Sequence, residues 1–221
     1  MLKAVLFDHD GTLVDSESVH HLIWQGVLAH YDIDFTADEY EQQYSGIPTP
    51  ANAINLVERY QLPLTSEDLA QAKLEATDAH LAREPFPLMH AARETVAFFH
   101  ATGASLAIVS GSNRSGIEHT VHAHGFSEWF STIVSFEDVT KSKPAPECYQ
   151  LALERLGVNA DQAMAIEDTE NGILAATRAG IACCGVRNAM SRNHDFSRAI
   201  KEFDNLAEAT EWIAANYRFS A

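Results

Sequence analysis

Positive charge is scarce in this chain. Lysine and arginine number 15 against 31 aspartates and glutamates, a formal net charge of -16 over 221 residues. Such a surface does not attract nucleic acid or an anionic membrane, so neither is expected as a partner. It also repels a phosphorylated small molecule at long range. A site for one therefore needs its own local cation, from a metal or a lysine. Cysteine is scarce too, with only Cys148, Cys183 and Cys184. An odd count with two adjacent residues does not make a disulfide framework or a zinc site, and buried free thiols are the expectation. No apolar run approaches the ~18 residues that span a bilayer. The start, MLKAVLFD, lacks the basic opening and the length of a secretory signal. Repeats and low-complexity stretches are absent, and the expectation is a cytoplasmic monomer.

What is present reads as an ordinary globular protein, 46% apolar and 21% charged, long enough for a core with a smaller attached module. Short continuous apolar runs mark strands buried on both faces of a parallel sheet. These are Ala4 to Asp8, Ser105 to Ser110, Ile133 to Phe136, Met164 to Asp168 and Ala182 to Val186. Helical patterns lie between them, at Ser115 to His124, Pro146 to Leu156 and Asn171 to Ala179, the last with Gly180 as its stop signal. This alternation predicts an α/β fold, a Rossmann-like open parallel sheet. It is interrupted between about Ser16 and Pro87 by four helical patterns (Val19 to His30, Ala37 to Tyr44, Ala51 to Tyr60, Ser66 to Leu81) and no strand. The prolines of Arg83-Glu84-Pro85-Phe86-Pro87 read as a stiff return linker.

Ligands of open α/β sheets bind at the carboxyl ends of the strands, and here those ends carry reactive side chains. Strand one runs into Asp8-His9-Asp10-Gly11-Thr12, strand two into Ser110-Gly111-Ser112-Asn113, and strand four into Glu167-Asp168, while Lys143 follows strand three. Four acidic side chains on one rim repel one another unless a cation sits among them, and oxygen donors suit magnesium. An aspartate can attack phosphorus and hold the phosphoryl group. A second carboxyl group beside it can protonate the leaving alcohol and then deprotonate water. Ser110 and the amides after it can hold phosphate oxygens, and Lys143 can offset the charge on the transferring group.

The segments LFDHDGTLVDS, IVSGSN, SKPAPECY and AIEDTENG, in this order, resemble the four motifs of the haloacid dehalogenase superfamily. The helical insert resembles that family's small cap domain, so the likeness covers essentially the whole chain. It implies a core domain of residues 1–15 and 86–221 with an inserted all-helical cap of residues 16–85. It also implies Asp8 as nucleophile, Asp10 as acid/base, and Ser110 and Lys143 as phosphoryl-binding residues. Magnesium is then served by Asp8, the Asp10 carbonyl, Glu167 and Asp168, and His9, Gly111, Ser112 and Asn113 line the phosphate site. The cap is expected to close over the leaving group and to set specificity.

Within the superfamily the chain is most similar to the sugar-phosphate branch, with β-phosphoglucomutase and small sugar phosphatases. His20, Trp24, Gly46 and Lys73 occupy positions where that branch contacts its substrate. Trp24 to Tyr31 with Gly46-Ile47-Pro48-Thr49 resembles bacterial fructose-1-phosphate phosphatases. The resemblance implies a magnesium-dependent phosphatase acting on a small phosphate ester. One departure bears on this: where mutases have an arginine beside the cap loop this chain has Thr49, and where they have a second-motif lysine it has Asn113, followed by Arg114. Hydrolysis is thus preferred to phosphosugar mutase chemistry. A non-catalytic phospho-acceptor module is disfavoured by Asp10, Ser110, Lys143 and the cap, and a carbon–halogen hydrolase needs neither Asp10 nor a metal cluster. His119, His122 and His124 are read as helix-end histidines rather than a metal site.

Overall fold

The structure, a computed structural model, describes residues 1–219. Strand β1 (Ala4–Phe7) lies inside a parallel sheet with β2 (Ser105–Val109), β3 (Phe130–Val134), β4 (Ala163–Glu167), β5 (Ala182–Val186) and β6 (Lys201–Phe203). The order is β3-β2-β1-β4-β5-β6. Neighbouring strands pair in parallel throughout, with Phe7 opposite both Ile108 and Ile166. The chain works outward from β1 on one side and then crosses to β4 on the other, so β1 and β4 flank the topological switch point, where open α/β sheets bind ligands.

Two compact units divide the chain. The first comprises Met1–Asp15 and the chain from Pro87 onward. It holds the sheet and α5 (Ala92–Ala101), α6 (Arg114–Ala123), α7 (Glu147–Leu156), α8 (Glu170–Arg178) and α9 (Leu206–Asn216), numbered after four helices of the other unit. Alternation along the strands separates the sheet's two faces. One face presents Ala4, Leu6, Ala107, Val109, Ala163, Ala165 and Cys183 to Cys148, Tyr149 and Ala152 of α7 and Ile173, Ala175 and Ala176 of α8. Small side chains dominate there, which lets the helices approach closely. On the other face Phe7 meets Phe99 of α5 at 6.0 Å between ring centroids.

The second unit, Ser16–Phe86, is helical: α1 (Ser16–Ala29), α2 (Ala37–Gln43), α3 (Thr49–Tyr60) and α4 (Ser66–Leu81). Trp24, Leu28, Phe35, Tyr40, Tyr44, Leu56 and Leu69 form its own apolar core. Thr36 and Thr65 cap α2 and α4, accepting from the amides of Glu39 and Asp68. Among the described residues no helix is long and apolar enough to cross a membrane. All three cysteines are free and buried.

Two sequence expectations need correction. Strand three lies at Phe130–Val134 rather than Ile133 to Phe136, because Ser135 and Asp138 form a capping box that turns the chain at Phe136. A sixth strand, Lys201–Phe203, extends the edge beyond the five expected.

Candidate active site

Register builds the site. Phe7 and Ile166 are paired, so the next residues, Asp8 and Glu167, emerge side by side, and the Asp8 amide still donates to the Ile166 carbonyl at 3.0 Å. Asp168 follows at once. The three carboxyl groups are buried, and one oxygen from each lies within 4.8 Å of the others.

Lys143 arrives from the segment before α7 and donates to Asp8 Oδ1 at 2.6 Å, Glu167 Oε1 at 2.6 Å and the Val109 carbonyl at 2.8 Å. Burial opposes its charge, but Asp8 and Glu167 overcome that and hold the ammonium protonated well above its ordinary range. One ammonium does not balance three carboxylates. Burial above all, with Glu167, Asp168 and Asp10 adding repulsion, raises Asp8 well above the carboxylate range against the pull of Lys143. Burial and Glu167 push Asp168 up to about 7, against donors from Asn188 and Thr12 and the charge of Lys143. A buried, oxygen-only, net negative cluster fits a hard divalent cation.

Asp10 sits at the rim, its side chain 26% exposed. Its Oδ2 accepts from Ser110 Oγ at 3.1 Å and Ser112 Oγ at 2.7 Å, and Ser110 Oγ in turn accepts from the Ser112 amide. His9 is 2% exposed, with Nδ1 3.3 Å from Asp10 Oδ2 but outside hydrogen-bond geometry. Gly11 takes φ +80, and a Cβ there would overlap the Asp168 carboxylate, so the turn after β1 accepts only glycine.

The structure thus brings Asp8, His9, Asp10, Ser110, Ser112, Lys143, Glu167 and Asp168 together, and Gly111 lies in the same turn. Asn113 is spent differently: its Oδ1 accepts from the Gly116 amide and caps α6. Arg114 is tied down, donating to Asp138 at 2.5 Å and to the Ile133 carbonyl at 3.1 Å. In the helical unit, Lys73 Nζ and His20 Nδ1 are 3.2 Å apart, and Lys73 is 4% exposed. Burial lowers Lys73 to about 8, only partly offset by Glu17. Gly46 is exposed at φ +70 in the turn between α2 and α3. Trp24 is 1% exposed and packs in the apolar core of the helical unit.

Three residues that touch the site were not legible as such. Tyr149 donates its hydroxyl to Glu167 Oε1 at 2.7 Å, Thr12 donates to Asp168 Oδ1 at 3.3 Å, and Asn188 donates to Asp168 Oδ2 at 2.7 Å. Thr12 and Asn188 carried a signal, as polar residues beyond the carboxyl ends of β1 and β5.

A profile described as haloacid dehalogenase-like hydrolase matches residues 5–186. The chain is 33% identical over 186 residues to fructose-1-phosphate phosphatase YqaB of Escherichia coli (strain K12), covering 83% of this chain and 95% of that one. It is 29% identical over 218 residues to protein CbbY of Cereibacter sphaeroides, covering 94% of each. Among solved structures, CbbY from Rhodobacter sphaeroides in complex with phosphate superposes with a TM-score of 0.78 at 29% identity, covering 94% of this chain and 96% of that chain. A mutant of that protein in complex with xylulose-(1,5)bisphosphate gives 0.78 at 28% identity over the same shares.

Proposed function

The chain belongs to the haloacid dehalogenase-like hydrolase family, and on that premise we propose that it is a magnesium-dependent phosphatase of small phosphate monoesters, in particular a sugar phosphate. The observation that carries this reading is the shared ammonium: Lys143 binds Asp8 and Glu167 at once, at the switch point of the sheet and beside Asp168. The named activity of YqaB and the ligands bound to CbbY support a sugar phosphate as substrate.

Asp8 attacks phosphorus, and the bond to the leaving oxygen breaks as Asp10 delivers its proton to that oxygen. The phosphoryl group then rests on Asp8 as an acyl phosphate. Water attacks the same phosphorus, Asp10 takes back a proton, and Asp8 departs as a carboxylate. Lys143, already oriented by Asp8, meets the charge on the transferring group without reorganisation. Ser110 and the amides of Gly111 and Ser112 hold its oxygens. Asp8, Asp168 and the Asp10 carbonyl, with Glu167, are the groups that would hold magnesium, which supplies charge neutralisation at the phosphoryl oxygens. Substrate selection is assigned to the helical unit, with His20, Lys73 and Gly46.

Mutase chemistry needs cations for a second phosphate. Thr49 supplies none, and Arg114 is committed to Asp138 and Ile133, so transfer to water is favoured over transfer to a sugar hydroxyl.

Asp8→Asn should abolish magnesium-dependent phosphate release from p-nitrophenyl phosphate and from hexose phosphates, and wild-type turnover in that variant would refute the assigned nucleophile. Asp10→Asn should lose turnover severely, about 10²–10⁴-fold, with substrate binding largely kept. Conversion of hexose 1-phosphate to 6-phosphate, stimulated by a bisphosphate, would identify a mutase instead.

A further inference from the structure

We propose that Asn188 is a positioning residue for the cation site, locking the Asp168 carboxylate against the backbone of Gly11. Its Nδ2 donates to the Gly11 carbonyl at 2.9 Å and to Asp168 Oδ2 at 2.7 Å. Its Oδ1 accepts from the amides of Met190 at 2.8 Å and Ser191 at 3.1 Å. Only one orientation of the amide satisfies two N–H donors on one side and two oxygen acceptors on the other, so the flip is fixed by its partners. Asn188 is itself anchored, its backbone amide donating to Ser191 Oγ at 3.0 Å in the capping box of a short 3-10 turn, Ala189–Ser191.

The clamp joins two pieces of chain that are remote in sequence, the turn after β1 and the end of β4. Among the described residues Asp168 has one other side-chain donor, Thr12, at the longer distance of 3.3 Å. Gly11 lies so close that a Cβ would overlap the Asp168 carboxylate. Asp168 is therefore pressed onto Gly11 and held there by a neutral donor. A donor of this kind orients a ligand carboxylate without competing with the cation for charge. The Gly11 carbonyl is fixed by the same amide, so the clamp also braces the turn that carries Asp10.

This inference rests on the magnesium reading above, and the experiment separates the two. Asn188→Ser keeps a hydroxyl that can cap the 3-10 turn but cannot span to Asp168; Asn188→Thr does the same should the serine variant not fold. Ser191→Ala removes the hydroxyl that anchors the Asn188 amide but keeps both bonds of Asn188 Nδ2, to Asp168 and to Gly11, so it reports the effect of loosening the turn alone. Magnesium binding is measured by calorimetry without substrate, then kcat and KM at saturating magnesium, with circular dichroism to confirm the fold. The expected result is magnesium binding weaker by about 10- to 100-fold in Asn188→Ser. The magnesium concentration for half-maximal activity rises in step, KM changes less than about twofold, and Ser191→Ala keeps wild-type affinity. Wild-type affinity in Asn188→Ser, or an equal loss in Ser191→Ala, overturns the positioning role alone. No magnesium binding by the wild-type protein overturns the phosphatase reading and this inference with it.

Discussion

Lys143 and Lys73 are both largely sequestered from water, yet their surroundings drive them in opposite directions. Burial disfavours either ammonium. At Lys143 two carboxylates in direct contact outweigh that cost, and the charge stays. At Lys73 no carboxylate contact of that kind offsets burial: Glu17 supplies some favourable charge, and burial wins, lowering the group to about 8 from an ordinary 10.5. The sign of its effect on stability follows. Below pH 8 both folded and unfolded chains carry the proton, and the fold bears the cost of a buried ammonium. Between about 8 and 10.5 the folded protein has released that proton while the unfolded chain still binds it, so stability rises with pH. Relative to Lys73→Met, the wild-type protein should gain up to about 3 kcal/mol between pH 7.5 and 10.5 in urea unfolding. A difference that stays flat over that range would show that Lys73 titrates as an ordinary surface lysine.

Elements differ in how openly the sequence declares them. β1, β2, β4 and β5 are interior strands of a parallel sheet and so read as short apolar runs. β6 does not: it is a three-residue edge strand whose Lys201 and Glu202 are exposed, and nothing in its pattern resembles a buried strand. α5 starts after Ala91 with no capping side chain, so it lacks a start signal, and the periodicity reading does not yield it. α9 does carry one, Asn205 capping the Glu208 amide, although the alternation of strands and helices read from the sequence stops at β5. The site followed the same logic. Asp8, Asp10, Ser110, Glu167 and Asp168 are legible because strand ends converge by topology. Tyr149 is not, because its role depends on which face α7 turns toward Glu167. Packing between β4 and α8 shows a further constraint invisible in sequence. A Cβ at Gly172, in the first turn of α8, would overlap the Glu167 carboxylate. That carboxylate has no room to swing, being fully buried and held by Lys143 and Tyr149. Gly→Ala within a helix ordinarily stabilises by up to about 1 kcal/mol. Here Gly172→Ala should instead destabilise by about 1–3 kcal/mol, as an overpacked core does, and should impair turnover by displacing Glu167 from Lys143. Chemical denaturation decides it, since a neutral or stabilised variant would mean that the helix yields freely.

For the molecule as a whole the dominant quantity is charge. A net charge of -16 surrounds a site whose nearest lysine is already committed to Asp8 and Glu167. A sugar phosphate carries up to two negative charges, so its approach is opposed over distances comparable with the protein's radius when salt is low. Inside the site the balance reverses, because contacts with Lys143, the amides of the Ser110 turn and the proposed cation act at van der Waals range and are little affected by bulk ions. Salt therefore separates the two regimes. The Debye length falls from about 30 Å at 0.01 M to about 10 Å at 0.1 M ionic strength, which screens the long-range repulsion and leaves the short-range contacts nearly intact. With magnesium held at saturation, kcat/KM for a hexose phosphate should rise over that range, on the order of a few-fold, while kcat stays level. The rise belongs to encounter and so should appear in kcat/KM alone. A fall in kcat/KM with salt would mean that the field at the mouth of the site is already positive, and that the surface charge of the chain does not govern how its substrate arrives.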